Sequence, residues 1–142
     1  MDSLSRRLVL TAKSMRAHME ARLAAEGSSL TRWIVLRSLA EEDGLSQRRL
    51  AELLSVEAPT LTRHLDRMAA DGLVVRKQDT VDRRVTRIHL TPAGRKMHLG
   101  LRKVVQGLSD EFDSLLSARE AAVLDRVLSR INAHLEDVAD VG

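Results

Sequence analysis

The chain has 142 residues, 44% hydrophobic and 30% charged, long enough to bury roughly two-thirds of its unfolded surface and too rich in both classes for disorder or a fibre. The absence of cysteine excludes disulfides, zinc-thiolate sites and thiol-based redox sensing, and no run approaches the ~18 apolar residues of a membrane span, so the chain reads as cytoplasmic with no membrane partner. The formal charge of +3 is unevenly spread: seven basic against six acidic residues up to Asp43, thirteen against six from Gly44 to Lys103, three against eight from Val104 onward. That basic middle suits a polyanion-binding module on a scaffold that binds none, or else a solvated charged surface.

Leu8, Ala12, Met15, Met19 and Leu23 recur every three or four residues and predict one long helix over Leu4–Ala25, ended by Gly27. Ser28 and Ser29 precede a second helix with Trp33, Ile34, Leu36, Leu39 and Ala40 on its inner side, ending near Asp43-Gly44. Ser46 is a natural cap for a short helix through Leu50, Ala51, Leu53 and Leu54. Pro59 fits the first turn of another, Glu57 to Ala70, whose inner face is Leu61, Leu65 and Met68 and whose stop is Asp71-Gly72. The period then shortens. Leu73 to Val75 and Val85 to Leu90 read as the strands of a hairpin with a charged tip. Thr91-Pro92 opens a long helix with the stripe Met97, Leu101, Val104, Leu108, Phe112 and Leu115. Ser117 caps a last helix turning Leu124, Val127, Leu128, Ile131 and Leu135 inward.

Two short helices followed at once by a hairpin predict a winged helix-turn-helix, mainly α with a small β-hairpin wing, in which the second helix can enter the major groove of double-stranded DNA. That helix turns Pro59, Thr60, Thr62, Arg63, Arg67 and His64 away from its inner face. Short hydroxyls and long cations there suit base edges and phosphates, although a plain solvent face has a similar composition. Ser46 and Gln47 stand at the N-terminus of the preceding helix, where exposed N–H groups suit a phosphate oxygen and where simple capping is equally served. The hairpin tip reads Asp79-Thr80-Val81-Asp82-Arg83-Arg84. Arg83 and Arg84 are both candidate DNA-binding residues: Arg83 held on a rigid turn can enter the electronegative minor groove, while Asp82 braces the turn by pairing with Arg84.

The run Leu65-Asp66-Arg67-Met68-Ala69-Ala70-Asp71-Gly72-Leu73-Val74, then Asp82-Arg83-Arg84, then Leu90-Thr91-Pro92-Ala93-Gly94, resembles the MarR family of bacterial regulators. The motifs span Leu45 to Gly94, while length and element order match over nearly the whole chain. The resemblance implies a single domain over 1–142, with residues 30–91 as the DNA-binding part and 1–27 and 92–142 as interlocking dimerisation helices. It implies a homodimeric, ligand-responsive repressor on a palindromic operator, with Pro59, Thr60, Thr62 and Arg63 on DNA and Arg83 in the minor groove. An activator, or a non-specific architectural protein, remains the alternative. Relatives mostly carry serine or asparagine where this chain has Glu57, and an acid there repels phosphate, so Glu57 is left out of the contacts.

The apolar stripes of the first helix and of the last two exceed what a small winged-helix core covers, which independently suggests an interface. In relatives that respond to aromatic acids or phenols, the pocket lies between the dimerisation helices and the winged part. The matching positions here are Met15, Arg16, His18, Met19, Trp33 and Arg37, a cationic and apolar set suited to a small aromatic acid or phenol; core packing and solvation explain the same residues. No cofactor or metal is expected: His18, His64, His89, His98 and His134 fall on five elements without ligand spacing, and no catalytic or phosphate-loop motif occurs. The chain therefore reads as a regulator and not an enzyme.

Overall fold

Serine and threonine set most of the helix starts. The hydroxyls of Ser3, Ser29, Ser46, Thr91 and Ser117 each accept from the backbone N–H three residues on, at 3.0 to 3.3 Å, removing one orphan donor at each start. The computed structural model describes residues 3–140. In chain order these form α1 (Leu4–Ala25), α2 (Leu30–Glu41), β1 (Leu45–Ser46), α3 (Gln47–Leu54), α4 (Ala58–Ala70), β2 (Val74–Gln78), β3 (Thr86–Leu90), α5 (Pro92–Asp113) and α6 (Ala118–Ala139). The exception among the starts is α4, which begins after Glu57 without a side-chain cap and has proline in its first turn.

The described residues divide into two compact units, the first running to Val105 and the second from Gln106. The first unit's core draws on Leu23 of α1; Trp33, Val35, Leu36 and Leu39 of α2; Leu45 of β1; Leu50 of α3; Leu61, Leu65 and Met68 of α4; Leu73 just before β2; Val74, Ile88 and Leu90 of β2 and β3; and Leu101 of α5. Each fully buried leucine contributes on the order of 2 kcal/mol relative to exposure.

The wing is larger than a hairpin. A two-residue strand, β1, pairs antiparallel with β3, Leu45 opposite Ile88 and Ser46 opposite Arg87, so the sheet is three-stranded in the order β1-β3-β2. β2 and β3 pair from Val74–Leu90 out to Gln78–Thr86. Two glycines allow α4 and α5 to flank this sheet. Gly72 takes φ +72° to end α4, and at Gly94 a Cβ would collide with the Leu73 carbonyl oxygen, so α5 can cross the start of β2 only without a side chain there.

Several expected inner faces differ. Val35 is fully buried while Ala40 is exposed: α2 is enclosed on a broader arc than one stripe. Leu115 lies beyond the end of α5 and is 75% exposed. In α1 only Leu23 is buried, and among the described residues no side chain of α6 is. Along these two stripes Leu8, Ala12, Met15, Leu128 and Leu135 are exposed, while Met19, Leu124, Val127 and Ile131 are half-buried.

Candidate nucleic-acid interface

Burying Leu61, Leu65 and Met68 fixes which side of α4 meets solvent. Pro59, Arg63, Asp66 and Arg67 are exposed, and Thr60, Thr62 and His64 are half-buried or exposed along its flanks. Ser55, in the left-handed region at φ 52°, turns the chain between α3 and α4.

The polar groups on the flanks are partly engaged within the protein. Gln47 Nε2 donates to Thr62 Oγ1 at 2.8 Å, and that hydroxyl donates to the Ala58 carbonyl at 2.9 Å. A hydroxyl has one proton, so Thr62 has none left to give. Ser46 serves as both strand and cap, its hydroxyl accepting from Arg49 N. His64 and Arg67 lie on the flank facing the α1–α2 turn, where with Gly27, Ser28, Ser29, Arg32 and Met68 they line a cavity of about 280 Å³. Of the α4 residues singled out, Pro59 and Arg63 therefore face outward, and His64 is set aside from them.

At the tip of the β2–β3 hairpin, Asp82 takes two bonds from Arg84, Oδ1 to Nε at 3.1 Å and Oδ2 to Nη2 at 3.2 Å, and a third from the Arg84 backbone N–H. Asp79 accepts from Asp82 N through one oxygen and from Arg87 Nε, at 2.8 Å, through the other. These donors hold both carboxyls below the ordinary carboxylate range, Arg87 chiefly for Asp79 and Arg84 chiefly for Asp82. Arg87 also donates to the Gly44 carbonyl, tying the wing to the turn before β1. Arg83 stands exposed at the tip, close in sequence to Val81 at 93% exposure.

Three supports escaped the sequence reading. Arg76 of β2 reaches α4 at Asp66 (2.8 Å) and at the Thr62 carbonyl (3.3 Å). The Asp79–Arg87 pair closes the hairpin behind its tip. Asp43 accepts from Leu90 N at 2.9 Å and meets His89 at 3.2 Å and Arg95 at 3.5 Å, clamping β3 to the end of α2. Their charge signs are visible in the sequence, but their partners lie from 8 residues away, for Asp79 and Arg87, to 47 for Asp43 and Leu90 and further still for Asp43 and Arg95.

The positions singled out for a ligand are dispersed in environment. Trp33 is 6% exposed and stacks on His98, ring centroids 5.4 Å apart and planes 7° apart. Burial, reinforced by Arg102 and Arg37 and opposed by Glu41, keeps the His98 imidazole below its ordinary pKa. Met15, Arg16 and His18 lie exposed on α1, with Met19 half-buried, and Arg37 pairs with Glu41 at 3.0 Å. A cavity of about 340 Å³ between the end of α1, the start of β2 and α5 is lined by other residues, among them Leu73, Lys96, Met97 and Leu101. Among the described residues, no group of three or more His, Asp or Glu side chains is placed to hold a metal, and no helix is long and apolar enough to cross a membrane.

This arrangement has counterparts among known proteins. A model of the MarR family matches residues 29–86. The chain is similar to YdgJ of Bacillus subtilis (strain 168), described as an HTH-type transcriptional regulator, with 29% identity over 115 residues, 81% of this chain and 70% of that one. Among solved structures it is similar to the transcriptional regulator PA3341, at 34% identity and TM-score 0.81 over 95% of this chain and 99% of that one. It is also similar to a mutant of Escherichia coli MarR complexed with operator DNA, at 26% identity and TM-score 0.81 over 90% and 92%.

Proposed function

The chain belongs to the MarR family of DNA-binding transcriptional regulators, and from that premise we propose that it binds a palindromic operator as a homodimer, represses from it, and lets go when a small aromatic acid or phenol binds. The observation that carries the reading is the outward face of α4. A helix buried along Leu61, Leu65 and Met68 presents Pro59 and Arg63 to solvent beside a wing with Arg83 at its tip, in the stretch of chain with the strongest positive balance. On this reading α4 lies in the major groove, with Arg63 and Thr60 at base edges or phosphates and Arg67 on the backbone. Thr62, its proton already given, offers DNA its methyl or a lone pair, and Gln47 acts as its partner. His64, on the flank of α4, is the least favourably placed of the set. Ser46 and the first N–H groups of α3 face a phosphate, and Arg83 enters the minor groove while the Asp82–Arg84 pair stiffens the turn.

What supports a homodimer is the apolar surface the single chain leaves open. The 22-residue helix α1 is packed in the monomer near its C-terminal end, where Leu23 is buried, and is exposed from Leu4 to His18. Leu4, Leu8, Val9 and Met15 of α1 are 38 to 80% exposed, and Val123, Leu128, Leu135 and Val138 of α6 are 37 to 59% exposed. Two recognition helices about 34 Å apart would then read the half-sites of an inverted repeat.

For the effector, Met15, Arg16, His18 and Met19 belong to a helix that a second copy would cover, so a pocket using them, with Arg37, is completed by the partner. Trp33 is a wall residue already held in the core. The direct test of the function is competition binding at ~150 mM salt between the inverted repeats upstream of the protein's own gene and random duplex. A preference of about a thousandfold or more is expected; equal affinity for both would leave only non-specific binding. Release of the bound repeat by a small aromatic acid that also raises the melting temperature tests the effector.

A further inference from the structure

We propose that Arg76 is a positioning residue for DNA reading, a strap that holds the wing at a fixed offset from α4 without itself touching DNA. The inference rests on the functional reading above. Arg76 sits mid-strand on β2, opposite Ile88, and cross-strand partners share a face of the sheet. Ile88 is fully buried, so that face is the one packed on the core, and the Arg76 side chain is 30% exposed. Its guanidinium forks onto α4, one nitrogen on Asp66 Oδ1 at 2.8 Å and the other on the Thr62 carbonyl at 3.3 Å. Thr62 is thereby a node. Its hydroxyl holds Gln47 at the start of α3, its carbonyl holds β2, and the chain of bonds runs α3–α4–wing.

The geometry also separates Arg76 from the arginines that face outward. Its planar fork is satisfied within the protein in a way that an ammonium cannot reproduce. Asp66 is exposed on the same outward side as Arg63, three residues earlier, where helix neighbours interact. Left unpaired, that carboxylate would repel phosphate and draw Arg63 onto itself. Arg76 removes both effects while fixing the direction in which Arg83 points.

The test is operator binding by fluorescence anisotropy across a salt series for the full-length protein, Arg76→Ala, Arg76→Lys, Arg83→Ala and the doubles of each Arg76 variant with Arg83→Ala. Arg76→Ala should lose affinity on the order of tenfold or more with an unchanged salt slope, and Arg83→Ala should cost far less in its background than in the parent, since a misplaced wing tip has little left to lose. Arg76→Lys keeps the charge and supplies the same comparison should the alanine variant fail to fold; it should recover only part of the affinity and part of the coupling. Additive losses with a salt slope reduced by about one would make Arg76 a phosphate contact and overturn the proposal, as would parental affinity in both Arg76 variants. A parent protein that does not discriminate its repeat from random duplex overturns the functional reading itself, and this inference with it.

Discussion

Arg83 and Arg84 are adjacent and chemically identical, yet the structure gives them different work. Arg84, though exposed, is held by Asp82 through two side-chain bonds and one from its backbone, while Arg83 beside it is exposed in the turn. Arg83→Ala should therefore weaken specific binding by ~1–3 kcal/mol while sedimentation shows an unchanged assembly; unchanged affinity would mean the tip does not reach DNA. The Asp82–Arg84 pairing was legible in the sequence because it is local: an acid and two arginines in consecutive positions can pair only in a few ways. The Arg76–Asp66 and Asp43–Leu90 links were not, because their partners meet only after folding. Thr62 lies between these cases. Its place on α4 followed from periodicity, whereas the capture of its hydroxyl by Gln47 and Ala58 depends on how two helices cross.

Among the elements, those with a long apolar period and a hydroxyl cap were read nearly to the residue. α1 runs Leu4–Ala25 as the spacing predicts, and α6 starts at Ser117 with Glu120 returning the bond, a capping box. β1 escaped because two residues carry no period, and Ser46 signals a helix cap as strongly as a strand. The wing is also the element most exposed to pH. Asp79 and Asp82 titrate below their unfolded values because Arg87 and Arg84 bind their ionised forms. A carboxyl depressed on folding supports the fold fully above its unfolded pKa, about 3.9, and that support is lost as the pH falls through the lower folded value. Protection of the wing amides from exchange, measured relative to their intrinsic rate at each pH and followed at the Asp82 and Val85 N–H groups, should thus fall below about pH 4 before that of the core amides of α4. Simultaneous loss in both would show that the carboxylates do not order the hairpin separately.

Across the protein as a whole, the sequence assigns the stripes of α1 and α6 to an interface between copies, and in the single chain Leu8, Met15, Leu128 and Leu135 of those stripes are exposed. Periodicity reports that a face is apolar, not whether its cover belongs to the same chain. Leu128 is 37% exposed in the single chain, so an aspartate there should be tolerated by the monomer and rejected by an apolar interface. Leu128→Asp should sediment as a monomer and lose operator binding together; an intact dimer would move the interface elsewhere.

Every role proposed for this protein requires two copies of α4 to enter the major groove in twofold symmetry, and the chain's lack of cysteine permits that to be measured. A single cysteine introduced as Ala58→Cys, at the first turn of α4 and outside the proposed contacts, can carry a DNA-cleaving reagent. With the labelled protein bound to its repeat, two mirror-related clusters of cuts with the major-groove strand offset are expected, centred about 34 Å apart. Cuts scattered along the duplex, or none while the protein remains bound, would rule that arrangement out.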